Sequence, residues 1–339
     1  MSRARDLGSL INSPVAGKNV IINGNFDFFQ RGSLSTTNAG YGLDRWYQSS
    51  SGSGTNVSVT QQTTGVPNGS RHCMRVTMTG VNGYGNQYQV IETLNTVPLQ
   101  GKMVTLSAKL RRSSGYAGNI TMTLEKSATV DATMGGTWTT LAAQGVLNSS
   151  LPTGTTSSDW YSLQFSVFVP NDGTANSLKI GFSQSQTESN CYWEVSQVQV
   201  EAGSSATTFS RAGGDIQGEL AKCQRYYYRD TLEKHLTHVR DTNLWFITKT
   251  FPVRMRSVVS FSHNLTTKVT PGTFPGTAGQ IGIYSNGWVA QNATSLSCSS
   301  DGGSNDHGSF YIVGFNGTLG QVGSIQSNGI SYFEWNAEL

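Results

Sequence analysis

Charge is scarce in this chain. Asp, Glu, Lys and Arg supply 13% of its 339 residues, against about a quarter in an ordinary soluble domain. The net charge is +3, and no run of Lys or Arg exceeds two. That excludes nucleic-acid binding as the main role. The four cysteines (Cys73, Cys191, Cys223 and Cys298) lie far apart without a CxxC pair, which excludes thiolate metal sites and leaves buried free thiols. No apolar run approaches the ~20 residues of a membrane-spanning helix, and Met1–Asn12 has no apolar core of a signal peptide. The expectation is a chain made in a cytoplasm that does not insert in a membrane. Catalytic signatures are missing too: there is no Gly-x-Ser-x-Gly elbow, His-Glu-x-x-His, Walker loop or GxGxxG after a strand. The acidic residues are scattered and show no pairing of the glycosidase kind. The expectation is a protein that is not an enzyme. So weakly charged a surface gives little protection against association, which favours an oligomer.

In place of charge the chain has 39 glycines, many small polar residues, and apolar positions that alternate. Val104, Leu106, Ala108 and Leu110 alternate with polar neighbours, as do Ile120, Met122 and Leu124, then Tyr161 to Val169, then Leu178, Ile180 and Phe182. Period-2 patterning bounded by Gly, Pro, Asn or Asp marks half-buried strands. Val20, Ile22, Phe26 and Phe28 share a parity and predict a first strand, interrupted at Asn23-Gly24. Many short strands without intervening helices predict an all-β antiparallel sandwich. Six Asn-Gly dipeptides supply the turn favoured in tight hairpins. Two of them, Asn286-Gly287 and Asn328-Gly329, each precede an aromatic-rich strand of a smaller C-terminal β-domain that includes Trp245, Ile247, Phe251, Val253 and Met255.

The organising stretch is Tyr192–Arg229. It reads as a closing strand carrying Val198 and Val200, a break at Gly203-Ser204-Ser205, a second break at Ala212-Gly213-Gly214, and a helical spacing of Ile216, Leu220, Cys223 and Tyr227. The Gly213–Gly214 pair predicts a hinge. The boundaries that follow are an N-terminal segment at 1–18, a first β-domain at 19–211, a helical linker at 212–229 and a C-terminal β-domain at 230–339.

The pattern V-Q-V-E-x-G, T-x-F, E-L-A-x-C-Q-R-Y-Y-Y-R in this stretch resembles the junction of bacteriophage tail-fibre and receptor-binding proteins. Asn19–Arg31 (NVIINGNFDFFQR) followed by Asp44-Arg45-Trp46, the opening Ser2–Asp6 and the closing Phe333–Leu339 (FEWNAEL) resemble the same family. The resemblance implies a jelly-roll domain like that of carbohydrate-binding modules ahead of a second β-sandwich. It also implies a homotrimer on the virion, assembled in the host cytoplasm. Arg3, Arg5, Leu7, Leu10 and Ile11 would attach it to other tail proteins, and a host-surface polysaccharide would be its ligand. The alternative is a purely structural connector or head-decoration protein; a polysaccharide depolymerase is a third reading.

Sugar rings present apolar C–H faces that stack on aromatic rings, while amides and carboxylates meet the hydroxyls. Aromatics in turn-rich settings are therefore the ligand candidates: Tyr84, Tyr88, Tyr116, Trp138, Tyr284 and Trp288. Trp46, Trp193, Phe165 and Trp245 sit in alternating runs and are assigned to the core. No organic cofactor is expected, but the resemblance implies a structural calcium held by Asp27 and Glu194. Strict alternation from Val198 turns Glu194 inward, where a buried carboxylate needs a metal or hydrogen bonds. A bulge near Ser196 would instead turn Trp193 and Val195 inward and Glu194 to solvent. Asp27 has the parity opposite to Phe26 and Phe28.

Overall fold

The computed structural model describes residues 18–32, 34–36, 39–51, 57–80, 84–184, 190–231, 234–241, 244–263, 267–268, 280–284, 297–303, 305–313, 322–326 and 332–338. The chain forms two compact units, the first ending at Cys223 and the second running Gln224–Glu338. The division falls inside the stretch expected as a linker.

The first unit contains β1 (Leu34–Thr36), β2 (Gly40–Tyr41), β3 (Tyr47–Ser51), β4 (Val57–Gln62), β5 (Cys73–Met78), β6 (Tyr84–Ile91), β7 (Lys102–Arg112), β8 (Ile120–Ser127), β9 (Thr139–Val146), β10 (Tyr161–Val169), β11 (Ser177–Gln184) and β12 (Cys191–Ala202). They make two six-stranded antiparallel sheets, ordered β1-β4-β5-β12-β7-β10 and β2-β3-β6-β11-β8-β9. The alternating apolar sets drive this arrangement, because each sheet must bury one face. Leu106, Leu110, Val195 and Val200 from the first sheet and Met122, Leu124, Ile180 and Phe182 from the second share one core. Trp46 and Trp193 are fully buried in it, as their alternating settings predict, and Phe165 packs on its margin. Trp46, Phe182 and Trp193 step across the sandwich with ring centroids 6.1 Å apart at each contact. The fold is an all-β jelly-roll sandwich.

Two local expectations are corrected. Residues 19–29 do not form a strand. Isolated bonds replace a strand ladder: Ile22 N–H donates to Gln89 Oε1 (2.8 Å), Ile21 N–H to Asn19 Oδ1 (2.9 Å) and Val20 N–H to Val200 O (3.0 Å). Asn23 and Phe26 take left-handed φ values of 58° and 56°, so the chain curls and inserts Phe26 beside Trp46 with centroids 5.2 Å apart. The predicted helix is also shorter than its apolar spacing, covering Ile216–Gln224. Tyr227 already belongs to the next strand.

The glycine pair before that helix is pinned rather than free. A Cβ on Gly213 would lie 2.1 Å from Gly218 C and Glu219 N, so only glycine allows this approach. The buried Glu219 carboxylate accepts hydrogen bonds from Gly213 N–H (2.7 Å) and from Asn23 N–H.

In the second unit the strands are β13 (Tyr227–Thr231), β14 (Lys234–Asp241), β15 (Leu244–Thr250), β16 (Ser260–His263), β17 (Thr267–Lys268), β18 (Gln280–Tyr284), β19 (Ser297–Gly303), β20 (His307–Val313), β21 (Val322–Gln326) and β22 (Tyr332–Asn336). A three-stranded sheet, β13-β22-β16, accompanies a seven-stranded one, β17-β18-β21-β14-β15-β20-β19. Trp245, Ile247, Phe251, Met255, Ile312, Phe333 and Trp335 form its core. Gly308 of β20 lies against the Trp335 indole of β22, where a Cβ would come within 2.3 Å of Nε1.

Candidate functional site: an aromatic sheet face

Alternation in β3, β6, β11 and β8 sends every second side chain to the outer face of the second sheet. Register aligns them. Tyr41, Tyr47, Tyr88, Gly181 and Thr123 lie in one row across β2, β3, β6, β11 and β8. The next row holds Val90, Lys179, Glu125 and Thr140.

Glycine at position 181 gives the face its shape. A Cβ there would fall 2.7 Å from Tyr88 Cδ1 and Cε1 and 2.8 Å from Thr123 Oγ1, so the Tyr88 ring rests directly on the sheet backbone. Beside it Lys179 Nζ lies 5.1 Å from the Tyr88 centroid and 4.7 Å from that of Trp138, and 2.5 Å from Glu125 Oε2. Two rings and a carboxylate thus enclose the ammonium, and only 8% of Lys179 is exposed. A buried cation needs such neutralisation. Trp138 comes from the loop before β9 and is fixed by donating Nε1–H to Thr133 O at 3.1 Å. Burial raises the Tyr88 phenol above its ordinary value, and the Glu125 charge adds to the shift. Tyr41 and Tyr47 meet edge to face with centroids 5.2 Å apart, and the Arg31 guanidinium sits 5.3 Å from the Tyr41 centroid.

Of the candidates read from sequence, Tyr88 and Trp138 are brought together around Lys179. Tyr84 opens β6 opposite Ser51, and Tyr284 closes β18 opposite Ser324. Trp288 and the attachment residues Arg3, Arg5, Leu7, Leu10 and Ile11 lie outside the described residues. Tyr116 is corrected: it is 1% exposed and belongs to the core. Its hydroxyl lies 3.4 Å from two acceptors, Asn119 O and Gln184 Oε1. Flanking glycines and serines imitate an exposed turn. The Arg112 guanidinium, however, donates to the turn's carbonyls, with Nη1 reaching Tyr116 O at 2.9 Å, and so holds the turn against the sheet with the ring inward.

The carboxylates expected to hold calcium have side-chain partners of their own. The β-bulge does occur, between Ser196 and Gln199, with Gln197 at φ 52°. Trp193, Val195, Val198 and Val200 therefore face the core. Glu194 faces the other way, yet its exposure is 0%. Arg75 of β5 and Arg111 of β7 stand opposite it in register. Arg75 Nη2 lies 2.7 Å from Glu194 Oε1, and Arg111 Nε donates to Oε2. Asp27 is held by Arg211 Nε (2.8 Å) and His72 Nδ1 (3.2 Å). Guanidinium and imidazole donors thus occupy the carboxylates expected to bind a metal. Among the described residues no group of three or more His, Cys, Asp or Glu side chains is placed to hold a metal ion.

Lys179, Glu125, Tyr41 and Tyr47 are members of the face that sequence reasoning missed. The signal for Lys179 is a lysine between Leu178 and Ile180 on an apolar strand, a position that demands a partner. The partner itself is set by register, which one sequence does not display.

Fold and face together define a jelly-roll sandwich bearing an aromatic, weakly charged sheet surface. No protein-family model matches the chain, and no curated protein matches it. Among solved structures it is similar to the enzymatically active domain of tailspike protein 4 of bacteriophage CBA120, at 16% identity over 56% of this chain and 22% of that one, with a TM-score of 0.37. It is also similar to TmCBM61 in complex with β-1,4-galactotriose (10% identity, 55% of this chain, 99% of that one, TM-score 0.33). A third is the CBM22-1 xylan-binding domain from Paenibacillus barcinonensis Xyn10C (15% identity, 56% and 98%, TM-score 0.32). The architecture given above rests on this chain's own strand pairing.

Proposed function

We propose that this chain is a bacteriophage tail fibre that binds polysaccharide on the host surface through the aromatic face of its first unit, and binds it without cleaving it. The observation that carries the reading is the Tyr88 ring seated on Gly181 beside Trp138, with the Lys179–Glu125 pair between them. Flat rings offer stacking surface to sugar C–H faces, and the ion pair and neighbouring hydroxyls offer hydrogen bonds. The motifs at 19–31, 192–229 and 333–339 support the virion placement. Attachment would use residues 1–18, and a homotrimer would repeat a shallow site three times and gain avidity.

The test is binding of the full chain to a glycan array and to whole host cells, beside Tyr88→Ala and Trp138→Ala. Retention by the wild type and loss by both variants supports the reading; equal binding by all three overturns it. A second reading, a structural connector, is favoured by Met103 and Phe168, which are 41% and 54% exposed and directly opposite one another on β7 and β10. An exposed apolar pair suits a protein contact. On that reading no glycan is retained.

A further inference from the structure

The outer face of the first sheet holds a separate groove of about 340 Å³, lined by residues including Ser107, Lys109, Ser162, Gln164, Thr207 and Phe209. Register builds its floor. Lys109 lies between Ser162 and Ser196, and Ser107 lies between Gln164 and Gln199. One wall is the chain returning from β12, held down where Thr207 N–H donates to Glu201 Oε1 (2.8 Å) and Ser210 N–H to Gln199 Oε1 (2.8 Å).

The charges on this face are uneven. Glu194 is engaged by Arg75 and Arg111. Glu201 is engaged by Thr207, Gln199 and Lys18. Lys109 is left with a hydroxyl alone, Ser162 Oγ at 2.6 Å, and among the described residues it has no carboxylate partner. The exposed Gln164 amide makes no side-chain hydrogen bond among the described residues. A solvent-accessible ammonium lacking a counter-ion attracts an anion. A ring, a free amide and several hydroxyls around it suit a sugar more than a bare ion.

We infer that this groove is a second glycan site that takes a carboxylated sugar residue, with Lys109 on the carboxylate, Gln164 on ring hydroxyls and Phe209 on a C–H face. The inference rests on the glycan-binding reading and names an acidic class of ligand for it. The experiment is calorimetric titration of the full chain at low salt with tetragalacturonate, with its carboxyl-reduced neutral counterpart, and with inorganic phosphate. Tetragalacturonate is expected to bind, Lys109→Gln to weaken it about tenfold, and Lys109→Arg to recover part of the loss. Salt at about 0.5 M is expected to weaken it as well. The groove is refuted if Lys109→Gln binds tetragalacturonate as the wild type does, if the reduced oligosaccharide loses as much on Lys109→Gln as tetragalacturonate does, or if phosphate alone competes fully. Should neutral glycans be lost on Tyr88→Ala while tetragalacturonate ignores Lys109→Gln, the groove falls and the aromatic-face reading stands. Absence of all glycan binding overturns both.

Discussion

Replacing Glu194 by alanine leaves two arginines facing each other across β12 with no anion between them. Removing one member of a buried ion pair costs about 3–5 kcal/mol, because the remaining charge is stranded. Local geometry sets the value at the lower end. Arg111 is 3% exposed but keeps hydrogen bonds to Gly65 O (2.7 Å) and Thr156 O (3.2 Å) and its stacking on Trp160 at 4.5 Å. Arg75 has a 26% exposed side chain and lies 3.9 Å from the Tyr192 centroid, so water reaches part of it. The expected loss is about 3 kcal/mol. For a unit of this size each kcal/mol lowers Tm by roughly 2–4 °C, giving a fall of roughly 6–12 °C by differential scanning calorimetry on the full chain. A triple variant, Arg75→Met with Glu194→Leu and Arg111→Met, is expected to recover most of that fall, since an apolar replacement of a buried charged triad is often neutral. A fall of only about 2 °C for Glu194→Ala, or a triple variant as damaged as the single, refutes the reasoning.

Calcium addition or chelation is expected to leave the Tm of the first unit unchanged, because Asp27 and Glu194 are occupied by cationic side chains; a rise of several degrees with calcium contradicts this. Alkali is expected to destabilise the chain. Burial, reinforced by the Glu194 charge and opposed by Arg111 and Arg75, pushes the Cys73 thiol from 9.0 up to about 12, and burial also raises the Tyr116 phenol. Between those values the unfolded chain loses protons that the folded chain keeps, so stability falls with rising pH by about 1.4 kcal/mol per unit for each group. Urea midpoints measured from about pH 8 upward should drop above about pH 9, less steeply in Cys73→Ala; a flat profile contradicts the sign. Gly181→Ala places a methyl group 2.7 Å from the Tyr88 ring. It should cost about 1–3 kcal/mol and weaken glycan retention, and a variant with unaltered binding would show that the seated ring is not required.

The strands are legible in the sequence because their apolar residues alternate for a local reason: one face of each sheet is buried. Such patterns need no partner information, and Val104 to Leu110, Ile120 to Leu124 and Leu178 to Phe182 all place their apolar sets in the core. Residues 19–29 mislead because the same parity arises there by coincidence, while the acceptors that fix the curl, such as Gln89, are remote in sequence. Glu194 shows the limit most clearly. Alternation allows either an unbroken strand or a bulge at Ser196, and the bulge turns Glu194 from the core, but its burial by Arg75 and Arg111 depends on strand order. Tyr88 and Trp138 are legible as aromatics in turn-rich settings. That they flank one lysine is not, since Lys179 reaches them through register and a loop closing over the sheet.

On the proposed reading, the outer face of the second sheet holds sugar without altering it. Affinity electrophoresis of the full chain through gels loaded with host-surface polysaccharide, with the polysaccharide's length checked afterward, tests it most directly. Retarded wild type, unretarded Tyr88→Ala and Trp138→Ala, and polysaccharide of unchanged length are predicted. Retardation that survives both substitutions, or shortened chains in the gel, would contradict the account.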